Sequence, residues 1–295
     1  MAEERGFVFH VRDGDVELSF EQVKQLAEGN DPDGLYAIAM AYLFGWDTEQ
    51  DEDRGYEYLE KAVASGQTEA MSMMVRLYME GSYEGIDNQK AAEYAIVAAK
   101  DGIPDAQLYA GLAYMDGISV ERDYVEAARL FRLSMNQGND EARTNLGYLF
   151  QEGLGVEKDE SKAFKLYRTA AKAGNLNALF HLGICYEFGV GTDIDFRSAA
   201  DCYIKGSEGG DAFATERLGY LYSEGIDGSG PDAGKSFDCF IRSAMDGVST
   251  AMFMTGYYYL NSIGVDKDID EARKWLKMAA DNGVEDASDL LSELE

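Results

Sequence analysis

The chain has 295 residues, with 26 Lys or Arg against 55 Asp or Glu, for a formal net charge of -29 at pH 7. A surface of that sign repels nucleic acid and anionic lipid, and it suits solubility or a basic partner. The longest apolar run, Ala37 to Trp46, falls well short of the ~18 residues a membrane span needs, so no membrane insertion is expected. The opening stretch MAEERGFVFHVRDGDVELS has no apolar segment after a basic start and reads as carrying no secretory signal. Phe7 to Arg12 and Asp15 to Leu18 flank Asp13-Gly14, a favoured two-residue turn, so residues 1–18 read as an extension with a small β-hairpin that caps the first helix pair. A disordered tail is the competing reading. Ser19 then opens a lone helix to about Glu28, and NDPDG punctuates before the first full unit at Leu35.

From there one pattern repeats. Gly66, Gly102, Gly138, Gly174, Gly210, Gly247 and Gly283 are separated by successive steps of 36, 36, 36, 36, 37 and 36 residues, and Gly29 lies 37 before Gly66. A second set, Gly45, Gly81, Gly117, Gly153, Gly189 and Gly225, keeps the step of 36, with Ser262 where the next member belongs. An aromatic stands three residues before each: Tyr42, Tyr78, Tyr114, Phe150, Tyr186, Tyr222 and Tyr259. Glycine can close a helix in the left-handed conformation, so Gly153 ends a first helix, A, and Gly174 a second, B. Ala142, Leu146, Gly147 and Phe150 make one apolar face of helix A, and Ala163, Leu166, Tyr167, Ala170 and Ala171 the matching face of B. Asp123, Asp159, Asp195 and Asp268 stand at N-cap positions, and Asp123 with Glu126 and Asp268 with Glu271 have capping-box spacing. One such hairpin cannot bury its own apolar stripe, so neighbours must stack.

The pattern Ala-x-x-x-Leu-Gly-x-x-Tyr/Phe-x-x-Gly-x-Gly-Val-x-x-Asp, followed by an aromatic position, Ala-Ala and Gly, resembles the Sel-one-like repeat, a relative of the tetratricopeptide repeat; the fit is best over Ala142 to Gly174 and Ala178 to Gly210. The resemblance implies an all-α fold: a right-handed α/α superhelical solenoid of about seven 36-residue helix-turn-helix units from residue 19 to 295, whose A helices line a concave, protein-binding groove. The units fall at about 35–68, 69–104, 105–140, 141–176, 177–212, 213–249 and 250–285, with a terminal half-unit at 286–295. Val75 and Ala39 replace the A-helix glycine, which predicts wider packing there, and the loop IDGSGPDAG carries a one-residue insertion.

Catalytic signals are weak. His10 and His181 are the two histidines, with no metal-binding spacing, so neither metal nor cofactor is expected. Gly153-Leu154-Gly155 and Gly189-Val190-Gly191 follow helices and read as turns, not phosphate loops. Cys185, Cys202 and Cys239 look like reduced core residues, which points to the cytoplasm. Secreted cysteine-rich relatives linked to β-lactam binding or hydrolysis carry a cysteine pair in every unit; those pairs are missing here.

The positions that packing does not need are the candidate binding residues. One A-helix register runs Met40, Arg76, Leu112, Tyr148, Ile184, Tyr220, Tyr257; the register three residues earlier runs Ala37, Met73, Tyr109, Asn145, His181, Arg217, Met254. Arg76, Tyr109, Leu112, Asn145, Tyr148, His181, Arg217, Tyr220 and Tyr257 are therefore expected to line the groove, since Tyr and Arg make most binding hot spots. Trimming them is expected to cost little stability; the alternative is that the tyrosines pack between neighbouring A helices. The reading is a monomeric, non-enzymatic adaptor for an unidentified protein or peptide, without nucleic acid. A β-lactamase-like hydrolase and an acidic inhibitor or immunity-type protein for a basic partner are the alternatives.

Overall fold

The computed structural model describes the backbone of residues 7–11 and 14–294, and side chains over 18–294 except Asp227. Strands β1 (Phe7–Val11) and β2 (Gly14–Leu18) pair antiparallel, Phe7 opposite Leu18 and Val11 opposite Gly14. Asp13 of the expected turn lies outside the described residues. Leu18 packs against the first core cluster, so the hairpin leads directly into the helical array.

Sixteen α-helices follow among the described residues: α1 (Phe20–Glu28), then the A/B pairs α2 (Pro32–Phe44) and α3 (Glu52–Ala64), α4 (Thr68–Met79) and α5 (Asn88–Ala98), α6 (Pro104–Asp116) and α7 (Tyr124–Asn136), α8 (Asp140–Glu152) and α9 (Glu160–Lys172), α10 (Leu176–Phe188) and α11 (Phe196–Glu208), α12 (Ala212–Glu224) and α13 (Ala233–Met245), α14 (Ser249–Asn261) and α15 (Ile269–Asp281), and finally α16 (Glu285–Ser292). The architecture is the expected all-α solenoid of helix-turn-helix repeats. Two compact units divide between Ala142 and Arg143.

Local chemistry sets the helix ends. Asp123, Asp159, Asp195 and Asp268 each accept a backbone N–H of the following turn, as do Asp51, Asp87 and Asp232 in their repeats. These bonds satisfy amides that a helix start leaves without partners. The reciprocal half of a capping box is absent at Asp123 and Asp268, because Glu126 binds Arg129 at 2.8 Å and Glu271 lies 3.2 Å from Lys274. A cation one turn ahead outcompetes the cap amide. The complete capping box is at Ser19, whose hydroxyl accepts from Gln22 N–H while the Gln22 side chain accepts from Ser19 N–H.

The A helices end as expected in the left-handed conformation at Gly45, Gly117, Gly153 and Gly189. Ser262 adopts the same conformation at φ 56°, ψ 45°, with its hydroxyl donating to Val265 C=O at 3.2 Å. A side chain there carries a steric cost that glycine does not.

Within five of the repeats, a glycine on helix A is where the bulky residue of helix B lies. A Cβ added to Gly111 would stand 2.5 Å from the Phe131 ring, and one on Gly147 2.7 Å from the Tyr167 ring. Gly183 faces Tyr203, Gly219 faces Phe240, and Gly256 faces Leu276 in the same way. At Val75, where wider packing is expected, α4 and α5 approach each other less extensively than the helices of the glycine-bearing hairpins α6–α7, α10–α11, α12–α13 and α14–α15. Ala95 occupies the register of Phe131 and Tyr167, and Val75 and Ala95 share one buried cluster, so bulk moves from helix B to helix A. Ala39 and Leu59 make an intermediate version.

Ser262→Gly should raise stability by about 1 kcal/mol, less whatever the hydroxyl bond to Val265 contributes, as read by urea unfolding. An unchanged midpoint would mean that this bond fully offsets the backbone cost. Gly111→Ala should destabilise by roughly 2 kcal/mol despite alanine's better helix propensity, and Phe131→Leu should recover part of the loss in the double variant.

Candidate interaction surface

In the unit ending at Ala142, the candidate residues flank two cavities. Tyr109 and Leu112 of α6 line one of about 190 Å³ together with Val75 and Met79 of α4 and Ala91 and Ala92 of α5. The alanines of α5 leave room there. Ala95 stands where the other B helices carry Leu59, Phe131, Tyr167, Tyr203, Phe240 and Leu276. Ala92 stands where α3, α9 and α13 carry Tyr56, Phe164 and Phe237 but α7 and α11 carry Ala128 and Ala200. Burial, with Glu141 and Asp105 adding to it, pushes the Tyr109 phenol up to about 12. Arg76 lines a second cavity of about 160 Å³ with Tyr36, Glu69, Met73, Ile103 and Asp105. Its guanidinium donates to Met73 Sδ at 3.0 Å and approaches Glu80 at 4.0 Å.

In the unit beginning at Arg143 the candidates separate into two groups. Tyr148 and Tyr257 are exposed, at 36% and 38%. Asn145 is half-buried. The other three serve packing. His181 stacks on Tyr167 with centroids 4.9 Å apart and planes 10° apart, and burial lowers its basicity. Tyr220 meets Phe240 edge-on at 4.9 Å. Arg217 binds the carboxylate of Glu187, which is only 8% exposed, through Nε to Oε2 at 3.3 Å and Nη2 to Oε1. The Tyr203 hydroxyl donates to the same Oε2 at 2.6 Å. The guanidinium also lies 5.3 Å from the Phe188 ring centre and 5.4 Å from that of Tyr220. The expectation that Arg217 and Tyr220 are free of structural duty is therefore corrected: a buried carboxylate requires its cation, and Tyr220 packs against the fully buried Phe240 ring.

Two exposed aromatics on the A helices of this unit escaped the sequence reading, Phe188 at 56% and Phe213 at 59%. A signal was available. Phe188 stands at the register of Glu80, Asp116, Glu152 and Glu224, and Phe213 at that of Glu69, Asp105 and Glu141. Glu187 likewise is a charge at the register of Met79 and Met115.

The three cysteines are free, and burial pushes Cys185 up to about 12 and Cys202 and Cys239 up to about 11, which makes them poor nucleophiles. Among the described residues, no group of three or more His, Cys, Asp or Glu is placed to hold a metal ion, and no helix is long and apolar enough to cross a membrane.

A family profile described as the Sel1 repeat matches residues 32–67, 68–103, 104–139, 140–175, 176–211, 212–248 and 249–284. Among solved structures, the chain is similar to a Sel1 repeat protein from Oxalobacter formigenes, at 27% identity and TM-score 0.71, over 93% of this chain and 79% of that one. It is also similar to a protective antigen present in uropathogenic Escherichia coli strains that displays an SLR fold, at 27% identity and TM-score 0.69, over 93% of this chain but only 59% of that one. No curated protein matches by sequence.

Arg217→Ala should destabilise the protein by about 2 kcal/mol or more, because Glu187 is left buried without its cation. Adding Glu187→Gln should restore most of the loss, since Gln151 already accepts the Tyr167 hydroxyl at the equivalent position. Chemical denaturation of the two variants checks both; an unchanged midpoint in Arg217→Ala would show the pair to be energetically idle.

Proposed function

We propose that this chain, which belongs to the Sel1 repeat family, is a non-enzymatic protein-interaction scaffold that holds a peptide, loop or helix of another protein on its A-helix side chains. The observation that carries the reading is the exposure of large aromatics on those helices. Tyr148, Phe188, Phe213 and Tyr257 keep between 36% and 59% of their surface in water, although the hairpin cores beside them are dry. Water-exposed rings on a rigid scaffold are the usual material of a binding surface. The free, weakly acidic thiols suit a reducing compartment, and the cytoplasm is the proposed location. With three cysteines in seven repeats, the paired-cysteine pattern of β-lactam-hydrolysing relatives has no counterpart. The scaffold is proposed to act as a monomer on a partner not yet identified.

The test uses the residues that packing spares. Proteins captured on the immobilised chain are identified by mass spectrometry, and the principal partner is then titrated against wild type and Tyr148→Ala/Tyr257→Ala. The double variant should bind at least about tenfold more weakly, with its melting midpoint nearly unchanged. Undiminished binding would place the partner on the loops or B helices. A steep loss of wild-type affinity with salt, insensitive to the aromatic changes, would favour a charge-driven acidic inhibitor instead.

A further inference from the structure

The unit ending at Ala142 differs in chemistry from the one beginning at Arg143. At the second position of the A helices, α2, α4, α6 and α8 carry Asp33, Glu69, Asp105 and Glu141, whereas α10, α12 and α14 carry Asn177, Phe213 and Thr250, and an acid returns only in the terminal α16, at Asp286. An acid in the first turn complements the helix dipole, but the later repeats form equally regular helices without one. The donors found on the first three acids are neutral. The Gln67 amide donates to Glu69 at 2.7 Å and reaches Asp33 at 3.4 Å, and the Asn139 amide donates to Asp105 at 3.2 Å. Among the described residues, Asp33, Glu69 and Asp105 form no ion pair. Burial and the Asp105 charge hold the Glu141 carboxyl above the ordinary carboxylate range, while Asp33 and Glu69 are exposed to solvent and Asp105 is half-buried.

Glu69 and Asp105 border the smaller cavity, and neighbouring turns of the same two helices, α4 and α6, line the larger one with Val75, Met79, Tyr109 and Leu112. The larger cavity, about 190 Å³, has the capacity for a single apolar side chain. Resting on the scaffold reading above, we propose that the A-helix face of this unit docks a basic segment of a partner protein, one apolar side chain entering the Tyr109–Leu112 cavity and lysine or arginine meeting the acidic row. Charge complementarity selects this occupant: Arg76 lines the smaller cavity with Glu69 and Asp105 but approaches Glu80, so one arginine stands beside several acids. An acidic segment would add like charges there, whereas a basic one supplies the missing countercharge. The apolar anchor supplies burial that charge alone does not.

The test is fluorescence anisotropy with three short synthetic peptides of equal length: one lysine-rich with a central leucine, one with every lysine replaced by glutamate, and one lysine-rich with alanine for the leucine. The lysine–leucine peptide should bind wild type, the glutamate peptide at least about tenfold more weakly, and the alanine peptide several-fold more weakly. Glu69→Gln/Asp105→Asn should weaken the lysine–leucine peptide by about tenfold, while Asp53→Asn/Glu57→Gln on the exposed face of α3, a control for diffuse attraction, should leave it within about twofold. Ala92→Phe fills the cavity with a residue that α9 and α13 carry at the same register, and it should erase the advantage of leucine over alanine. A midpoint and helical signal equal to wild type establish that each variant is folded; should Ala92→Phe fail this, Leu112→Ala replaces it and should reduce the leucine advantage. The proposal is overturned if the glutamate peptide binds as tightly, if the α3 control weakens binding as much as the Glu69/Asp105 change, or if no lysine peptide binds. Cavity-dependent binding of the glutamate peptide would overturn the basic partner while leaving the scaffold reading intact.

Discussion

The structure depends on one contact repeated along the chain, the seating of a bulky B-helix residue on a glycine of the A helix. Five repeats place Phe131, Tyr167, Tyr203, Phe240 or Leu276 where a Cβ on the facing glycine would lie at 3.0 Å or less. Interiors are packed as densely as organic crystals, so the two helices can hold one large residue at that level and not two. The repeat at Val75 obeys the same limit in reverse, with Ala95 opposite. Bulk shifts from the B helix to the A helix there, and the pair Val75 and Ala95 is smaller than Gly111 with Phe131 or Gly147 with Tyr167.

That exchange has a consequence for the surface. With Ala95 in place of a bulky residue, and alanines at 91 and 92 as well, α5 leaves space beside α6, where the cavity under Tyr109 and Leu112 lies. Where the ring is retained, as at Tyr203, its hydroxyl needs a buried acceptor, and Glu187 provides it. The carboxylate in turn requires Arg217, whose guanidinium then lies against Phe188 and Tyr220. At Tyr167 the same acceptor position is held by the neutral Gln151, which forms no such ion pair.

The acidic composition is divided among distinct duties. One aspartate per B helix is used as an N-cap, which fixes where the helix starts and is compatible with its dipole. Glutamates one turn in, such as Glu126 and Glu271, pair instead with Arg129 and Lys274 on the solvent side. Asp33, Glu69 and Asp105, on the A helices of the first unit, have neutral amides as side-chain partners. The net charge of -29 describes the sum and distinguishes none of these roles.

The period of 36 residues, the two glycine registers, the B-helix caps and the apolar faces were legible in the chain because each depends on local conformation or on a spacing that a helix enforces. They determined the helical repeat and the Sel1 resemblance before any packing was known. The candidate surface was legible only as registers. Sequence spacing places Tyr148, Tyr220 and Tyr257 on equivalent positions, but Tyr220 is held by Phe240 from the paired helix while the other two remain exposed. Arg217 looked like a groove residue until Glu187, thirty positions earlier, proved to be its partner. The cavity beside Tyr109 likewise arises from what α5 lacks. Helix periodicity fixes the direction of a side chain, whereas its freedom depends on neighbours from other helices, and those only the tertiary structure brings together.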